Sequence, residues 1–135
     1  MKIALDEAAK IIGDAQTIIL TAHIRPDGDA IGSTLGLMHY LREQGKDARV
    51  LIDDELPRIF NVLPGIEMIE RPAEGQRYTA DLLIVCDVEL KRTGAVLDAV
   101  DAVRVLNIDH HVTNDEAAEY LYLNPDYAAT CEIMH

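Results

Sequence analysis

The sequence predicts an α/β domain with a Rossmann-like, doubly wound, mainly parallel sheet and helices on both faces. Short apolar runs alternate with segments of helical periodicity along the whole chain, as in successive βαβ units. A length of 135 residues with 49% hydrophobic content fits one packed domain over residues 1–135. Histidines and aspartates directly follow three of the apolar runs, which is where open parallel sheets bind ligands.

The first half of the chain predicts alternating helices and strands. Apolar residues recur at helical spacing before Gly13 and again before Gly45, and glycine is suited to end a helix. Uninterrupted apolar runs indicate buried strands. In chain order we expect a helix over 5–12, a strand over 17–22, a helix from Asp29 to Gly45, a strand over 49–52, a short helix from Pro57 to Leu63 and a brief strand over 66–69.

The second half continues this alternation. We expect strands over 81–88, 103–108 and 120–123, the last at a sheet edge, with helices over 94–100 and from residue 128 onward. The final residues have helical composition, but they include neither Gly nor Pro nor a basic last turn that would stop a helix. We therefore expect the sequence to be part of a longer protein.

Charge and composition narrow the classes of partner. The 24 acidic and 12 basic residues give a net charge of -12, which argues against long duplex nucleic acid bound through counterion release. Small phosphate substrates held by a metal ion remain compatible with this negative charge. The N-terminus lacks the apolar core of a signal peptide, no apolar run approaches the roughly 20 residues of a membrane span, and Cys86 and Cys131 lack disulfide spacing. We expect reduced cysteines, no membrane partner and a cytoplasmic location.

Imidazoles and carboxylates follow three predicted strands. The first strand is followed by His23, Asp27 and Asp29, another ends at Asp87, and a third is followed by Asp109-His110-His111. Taken singly, such residues are more often turns, caps or surface histidines. Because parallel strands bring their carboxyl ends to one edge, the three groups together predict a metal site.

Charge repulsion supports this prediction. Two carboxylates about 4 Å apart repel by roughly 4 kcal/mol at an effective dielectric of about 20, so crowded aspartates call for cations. A ligand set of imidazole and carboxylate without thiolate suits Mn²⁺ first, with Mg²⁺, Fe²⁺, Co²⁺ and Zn²⁺ as alternatives. If Asp29 begins the following helix, the N–H groups of that helix would favour an anion such as phosphate at the same place.

The motifs resemble those of the DHH phosphoesterases. The resemblance rests on His23-x-x-Pro26-Asp27-x-Asp29-Ala30-x-Gly32-Ser33, on Cys86-Asp87 with Arg92-Thr93-Gly94, and on Asp109-His110-His111-x-x-Asn114. The first motif is most similar to the oligoribonuclease and phosphoadenosine-phosphate phosphatase branch, the NrnA-like proteins, and less similar to the RecJ exonucleases. The resemblance extends over the whole chain.

The resemblance implies a centre of two metal ions. His23 and Asp27 would hold one ion, Asp29 and His110 would hold the other, and Asp87 would bridge both. Mn²⁺ is the expected cofactor, with Mg²⁺ or another divalent ion as the alternative.

The resemblance also implies roles around the substrate phosphate. His111 would face the phosphate as a catalytic and substrate-binding residue, and Asp109 would fix an imidazole tautomer. Arg92 either contacts phosphate or pairs with a neighbouring acid. Asn114 and Thr113 either cap their loop or form hydrogen bonds near the site.

The predicted reaction is hydrolysis of short oligoribonucleotides or 3′-phosphorylated nucleotides by a water that two metal ions activate. The alternatives are a manganese-dependent inorganic pyrophosphatase, a polyphosphate or cyclic-dinucleotide hydrolase, and a non-catalytic metal-binding module. Members of the resembled family carry a further ligand Asp and a Gly-rich substrate domain downstream of the helix that matches Thr130-x-Glu132. We therefore expect the 135-residue chain alone to be weakly active or inactive. A homodimer is a possible partner arrangement.

Overall fold

The computed structural model describes residues 1–134, which form one six-stranded sheet. Its strands are β1 (Thr17–Thr21), β2 (Asp47–Leu51), β3 (Ile69–Glu70), β4 (Tyr78–Cys86), β5 (Val100–Asp109) and β6 (Tyr120–Leu123). Neighbouring strands all run parallel, in the order β3-β2-β1-β4-β5-β6. The predicted α/β class and parallel sheet are confirmed.

Helices cover both faces of the sheet. The α-helices of the described residues are α1 (Leu5–Asp14), α2 (Gly28–Glu43), α3 (Val96–Ala99) and α4 (Thr130–Met134), and 3₁₀ turns span Arg58–Val62, Ile66–Met68 and Leu90–Arg92. Strand side chains alternate between two cores, as expected for a pleated sheet. Ile18 and Leu20 pack in the core that includes α1 and α2, whereas Ile19 enters the opposite core with Val96 of α3.

Helix α2 contains the longest run of apolar residues at the predicted helical spacing. Its residues Ile31, Leu35 and Met38 are buried against the sheet. The helix ends as predicted, because Gly45 has a left-handed φ of 80° and its N–H donates to the Arg42 carbonyl. The N–H of the next residue donates to the Leu41 carbonyl at 3.0 Å, which completes a Schellman motif.

Two helix boundaries differ from the predictions. Gly13 does not end α1, because it keeps a helical conformation and the chain leaves the helix only at the extended Ala15. The helix predicted over 94–100 is reduced to Val96–Ala99. Gly94 is left-handed, with φ 64°, and Val100 already pairs with Tyr78 in the sheet, so the sheet shortens the helix from its C-terminal end.

The predicted strand over 66–69 is wrong for most of its length. Residues Ile66–Met68 form a 3₁₀ turn after the left-handed Gly65, and only Ile69–Glu70 pair with β2. Strands β4 and β5, in contrast, begin three residues earlier than predicted, at Tyr78 and Val100, since these two residues already pair with each other in the sheet.

The strand order reverses between β1 and β4, which are adjacent although two strands separate them in sequence. In open parallel sheets such a switch point leaves a crevice at the carboxyl ends of the strands. None of the helices described for residues 1–134 has both the length and the apolar composition needed to span a bilayer.

Candidate metal centre

The crevice at the switch point collects the histidines and aspartates of three strands. His23 and Asp27 follow β1, Asp87 directly follows β4, and His110 follows β5. The backbone of Asp87 is left-handed, with φ 69°, and its N–H donates to the Ile108 carbonyl at 2.9 Å. Ordinary residues adopt this conformation rarely, so the turn that ends β4 directs the Asp87 carboxylate by the backbone itself.

Asp87 lies at the centre of the cluster. Only 2% of its surface is exposed, and its two carboxylate oxygens face different imidazoles. Oδ2 lies 3.4 Å from Nε2 of His23, which is 3.7 Å from Asp27. Oδ1 lies 3.3 Å from Nε2 of His110, which is 3.5 Å from Asp29. The five residues predicted as ligands therefore meet as two His–Asp pairs on either side of one shared carboxylate.

The donor atoms fit divalent cations. Two groups each have ligand atoms within 4.8 Å of one another, namely His23, Asp27 and Asp87, and Asp87, Asp109, His110 and His111. These donors are nitrogen and carboxylate oxygen without thiolate, a set suited to Mn²⁺ and its hard or borderline neighbours. The buried negative charge also calls for a positive partner.

The pKa values of this cluster reflect the same crowding. Burial raises the pKa of Asp87, and the hydrogen bond from His23 opposes this effect only in part. The hydrogen bond to Asp87 raises the pKa of His23 to about 9, with a further contribution from Asp27. The pairing with Asp87 thus favours the protonated form of His23, and a cation would displace that proton because a ligating imidazole must be neutral.

Helix α4 positions Asp29 from the far end of the described chain. The backbone N–H groups of Thr130 and Cys131 donate to the two Asp29 oxygens, each at 2.8 Å. Burial by itself raises the pKa of Asp29, but these two hydrogen bonds outweigh it and the pKa is lowered. The Thr130 hydroxyl also donates to Oδ1 of Asp87 at 3.2 Å. No local sequence pattern indicates this role for Thr130, because only the fold brings α4 to the crevice.

Asp109 orients His111. The Asp109 side chain is fully buried, and its Oδ1 lies 2.7 Å from Nδ1 of His111 while also accepting both backbone N–H groups of the histidine pair. The other oxygen, Oδ2, accepts from Asn114 at 2.8 Å. The predicted partnership of Asp109 with an imidazole is therefore present, and the imidazole concerned belongs to His111.

Asn107 is a buried polar residue that the sequence analysis missed. Its side-chain amide donates to the carbonyls of Val85 and Val88, at 2.9 and 2.7 Å, and thereby ties together the chain on both sides of Asp87. Its Oδ1 accepts from Asn114 at 2.9 Å. A polar residue inside an apolar run, two positions before Asp109, was the available signal. Asn114 both caps its loop, through Glu116, and bonds to the site.

A cavity of about 190 Å³ opens beside the cluster. Its lining residues are His23, Asp27, Asp87, Val88, Glu89, Arg92, His111 and Thr113. The His111 side chain is 44% exposed, whereas that of His110 is only 16% exposed, so His111 is the imidazole that a molecule in the cavity can reach. Arg92 also lines the cavity, and its guanidinium forms no ion pair within the described residues 1–134. Both of its expected roles stay predictions.

Comparison with known proteins identifies relatives of this arrangement. The family model "DHH family, N-terminal domain" matches residues 17–135. The bifunctional oligoribonuclease and PAP phosphatase NrnA of Thermus thermophilus is 37% identical over 117 residues, which cover 87% of this chain and 35% of that protein. The protein of the same name from Bacillus subtilis is 26% identical over 129 residues, which cover 96% of this chain and 40% of that protein.

A solved structure supports the same relationship. The crystal structure of an exopolyphosphatase-related protein from Bacteroides fragilis matches with a TM-score of 0.83 and 29% identity, over 96% of this chain and 41% of that chain. The chain therefore spans between 35% and 41% of the length of these three proteins.

Proposed function

Because this chain belongs to the DHH family, of which it matches the N-terminal domain, we propose that it is the metal-binding part of a divalent-cation-dependent phosphoesterase. The observation that carries the proposal is the Asp87 carboxylate, whose two oxygens face His23 and His110 separately. In our assignment His23 and Asp27 would hold one ion, His110 and Asp29 would hold the second, and Asp87 would contribute to both. Mn²⁺ is the proposed ion, and Mg²⁺ is the alternative.

The proposed substrates are short oligoribonucleotides or small nucleotides with a 3′-phosphate. This choice rests on the similarity to proteins named as oligoribonuclease and PAP phosphatase, at 37% and 26% identity. The net charge of -12 favours a small substrate over long duplex nucleic acid. We assign the activity to the cytoplasm, in agreement with the free thiols of Cys86 and Cys131. Assembly into a homodimer stays a prediction.

The chemistry follows from what the residues at the cavity can do. Two divalent cations, when bound, would supply Lewis acidity and a nucleophilic water at neutral pH. Asp109 accepts a hydrogen bond from Nδ1–H of His111, so Nε2 of that ring is free to contact the substrate. In its protonated form His111 can donate to a phosphoryl oxygen or protonate the leaving oxygen. Arg92 offers a planar guanidinium to the phosphate from the same cavity.

We further propose that residues 1–135 alone hydrolyse these substrates weakly. The related proteins are more than twice as long, and the resembled family supplies a further carboxylate ligand and a substrate-binding domain from the additional length. A loosened metal pair and a missing cleft wall would both impair alignment of the reacting groups, and poor alignment lowers rate steeply.

The test measures Mn²⁺-dependent release of mononucleotide from a 5′-phosphorylated diribonucleotide, and of phosphate from 3′-phosphoadenosine 5′-phosphate. The full-length gene product and the 135-residue chain are assayed in parallel. We expect Asp87→Asn to abolish activity of the full-length protein, and the matched change Asp126→Asn, at an exposed position away from the cavity, to leave it unchanged. Hydrolysis of inorganic pyrophosphate in place of both nucleotides would contradict the proposed substrate class.

A further inference from the structure

A second cavity continues from the candidate metal centre. It has a volume of about 360 Å³, and it shares His23 and Arg92 with the cavity over Asp87. Three cationic side chains, Arg25, Lys91 and Arg92, line it. In a chain with twice as many acidic as basic residues, a cavity lined by three cations and no carboxylate is unusual in composition.

The backbone holds Arg25 in an unfavourable conformation. Its φ of 56° lies in the left-handed region, which Gly and Asn adopt far more readily than Arg. The Arg25 N–H donates to Oδ2 of Asp54 at 2.8 Å, and the N–H of Ile24 donates to the Arg92 carbonyl at 3.1 Å. These two hydrogen bonds fix the loop after β1 against the turn that carries Arg92. An arginine kept in a conformation that suits asparagine better is typical of a side chain with a functional role.

The guanidinium groups are available for a ligand. Within the 134 described residues, the side chains of Arg25 and Arg92 take part in neither ion pairs nor hydrogen bonds, whereas Lys91 pairs with Asp115 at 3.4 Å and with Glu89 at 3.9 Å. The side chain of Asp54 accepts the backbone N–H of Arg25 and also interacts with the charge of that arginine, without a direct ion pair among the described residues. Ile24, which is 42% exposed, adds an apolar surface at the rim.

We propose that this cavity binds a second phosphate group of the substrate, with Arg25 as the principal ligand and Arg92 and Lys91 beside it. Guanidinium groups bind phosphate oxygens through paired, charge-assisted hydrogen bonds, and the shared wall at His23 and Arg92 sets this phosphate next to the one at the metal centre. The preferred substrates are then nucleotides with two phosphates, and Ile24 can contact the ribose or base that joins them. The proposal rests on the phosphoesterase function proposed above.

The experiment compares two substrates that share one reacting phosphate. Adenosine 3′-phosphate and 3′-phosphoadenosine 5′-phosphate differ only in the 5′-phosphate, and both are assayed with the full-length gene product and Mn²⁺. We expect Arg25→Asn to raise KM for the bisphosphate by about ten- to a hundredfold, the effect of one lost charge-assisted contact, with little change for the monophosphate. Arg25→Lys should recover part of the loss, since it keeps the charge without the planar guanidinium.

Two controls separate recognition from folding. Asn adopts left-handed φ more readily than Arg, so Arg25→Asn should leave the melting temperature unchanged or raise it while it impairs bisphosphate recognition. The matched control is Arg104→Gln, which removes an exposed arginine that lines a different cavity, beside the start of β1. This variant should handle both substrates as the parent does.

Each outcome separates this proposal from the function on which it rests. Equal effects of Arg25→Asn on both substrates, or no effect on either, would overturn the second phosphate site and leave the phosphoesterase assignment standing. Hydrolysis of the diribonucleotide without hydrolysis of the bisphosphate would overturn the second phosphate site alone. Failure of the unmodified full-length protein to hydrolyse the diribonucleotide and both nucleotides would overturn both proposals. A selective rise in KM for the bisphosphate, with stability retained, would support the site.

Discussion

At the scale of single residues, buried side chains that never reach the cavity control the geometry of those that do. Asn107 is 1% exposed and holds the chain on both sides of Asp87, and it also supports Asn114, which in turn bonds to Asp109. The left-handed turn at Asp87 is therefore braced by side-chain hydrogen bonds. Such a network is valuable only when every member is satisfied, because an unpaired buried polar group is costly.

Replacing Asn107 should reveal this bracing. Asn107→Leu keeps the branching and the number of heavy side-chain atoms but leaves the carbonyls of Val85 and Val88 without their donor. We expect it to lower the free energy of unfolding by on the order of 3 kcal/mol. Urea denaturation monitored by circular dichroism measures the change. The same substitution at the exposed Asn61 serves as the control and should cost less than about 0.5 kcal/mol. Equal losses at the two positions would contradict the bracing role.

At the scale of elements, α2 combines the site with the stability of the fold. Its N-cap is Asp27, whose Oδ1 accepts the Ala30 N–H at 2.9 Å, so one of the candidate metal ligands also caps the helix. Its far end is the Schellman turn at Gly45. A helix fixed at both ends holds Asp27 and Asp29 in a constant position relative to the strands.

Two glycines of α2 and its C-terminal turn should respond oppositely to the same substitution. Gly36 lies within the helix and Gly45 follows it with φ 80°, and a Cβ would meet nothing within 4 Å at either position. We expect Gly36→Ala to stabilise the chain by about 0.5–1 kcal/mol through lower backbone entropy of the unfolded state. Gly45→Ala should destabilise it by about 1–2 kcal/mol, because a left-handed φ is strained for alanine.

Urea titrations of both glycine variants, run beside the parent, provide the measurement. The two substitutions add the same methyl group, so solvent and packing effects are matched. A loss of stability in Gly36→Ala would contradict the helical geometry described at that position, and a gain in Gly45→Ala would contradict the left-handed turn at the end of α2.

At the scale of the whole molecule, the parallel sheet concentrates negative charge at one edge. The order β3-β2-β1-β4-β5-β6 makes β1 and β4 neighbours, which sets Asp87 beside His23 and Asp27 although about sixty residues separate them in sequence. The fold tolerates this concentration at the cost of mutual repulsion between carboxylates. A cation that binds only the folded chain should therefore stabilise the molecule as a whole.

We expect Mn²⁺ to raise the melting temperature of the 135-residue chain, by an amount equivalent to about 2.7 kcal/mol at a hundredfold excess over Kd. Asp87→Asn should remove most of this gain, whereas Asp126→Asn should preserve it. Because the pKa of His23 is about 9 without metal, protons compete with the ion, and the gain should be larger at pH 8 than at pH 6. Melting curves that millimolar Mn²⁺ leaves unchanged would contradict a metal centre in this chain.

The features that local interactions specify were predictable from the order of the amino acids alone. The strand before His23, the helix that Gly45 terminates and the clustering of candidate ligands behind apolar runs all follow from residue spacing and turn chemistry within a few positions. The start of β4 at Tyr78 did not follow in this way, because residues 78–80 join the strand through pairing with β5.

The distant groups that complete the site come together only in the folded chain. Asp29 accepts hydrogen bonds from Thr130 and Cys131, about a hundred positions further along the chain. Asn107 braces the chain around Asp87 from the neighbouring strand β5. Arg25 and Arg92 likewise meet at one cavity through a backbone hydrogen bond between remote loops. Local sequence patterns do not predict such pairings. The strand order determines them, and that order depends on the packing of the entire sheet.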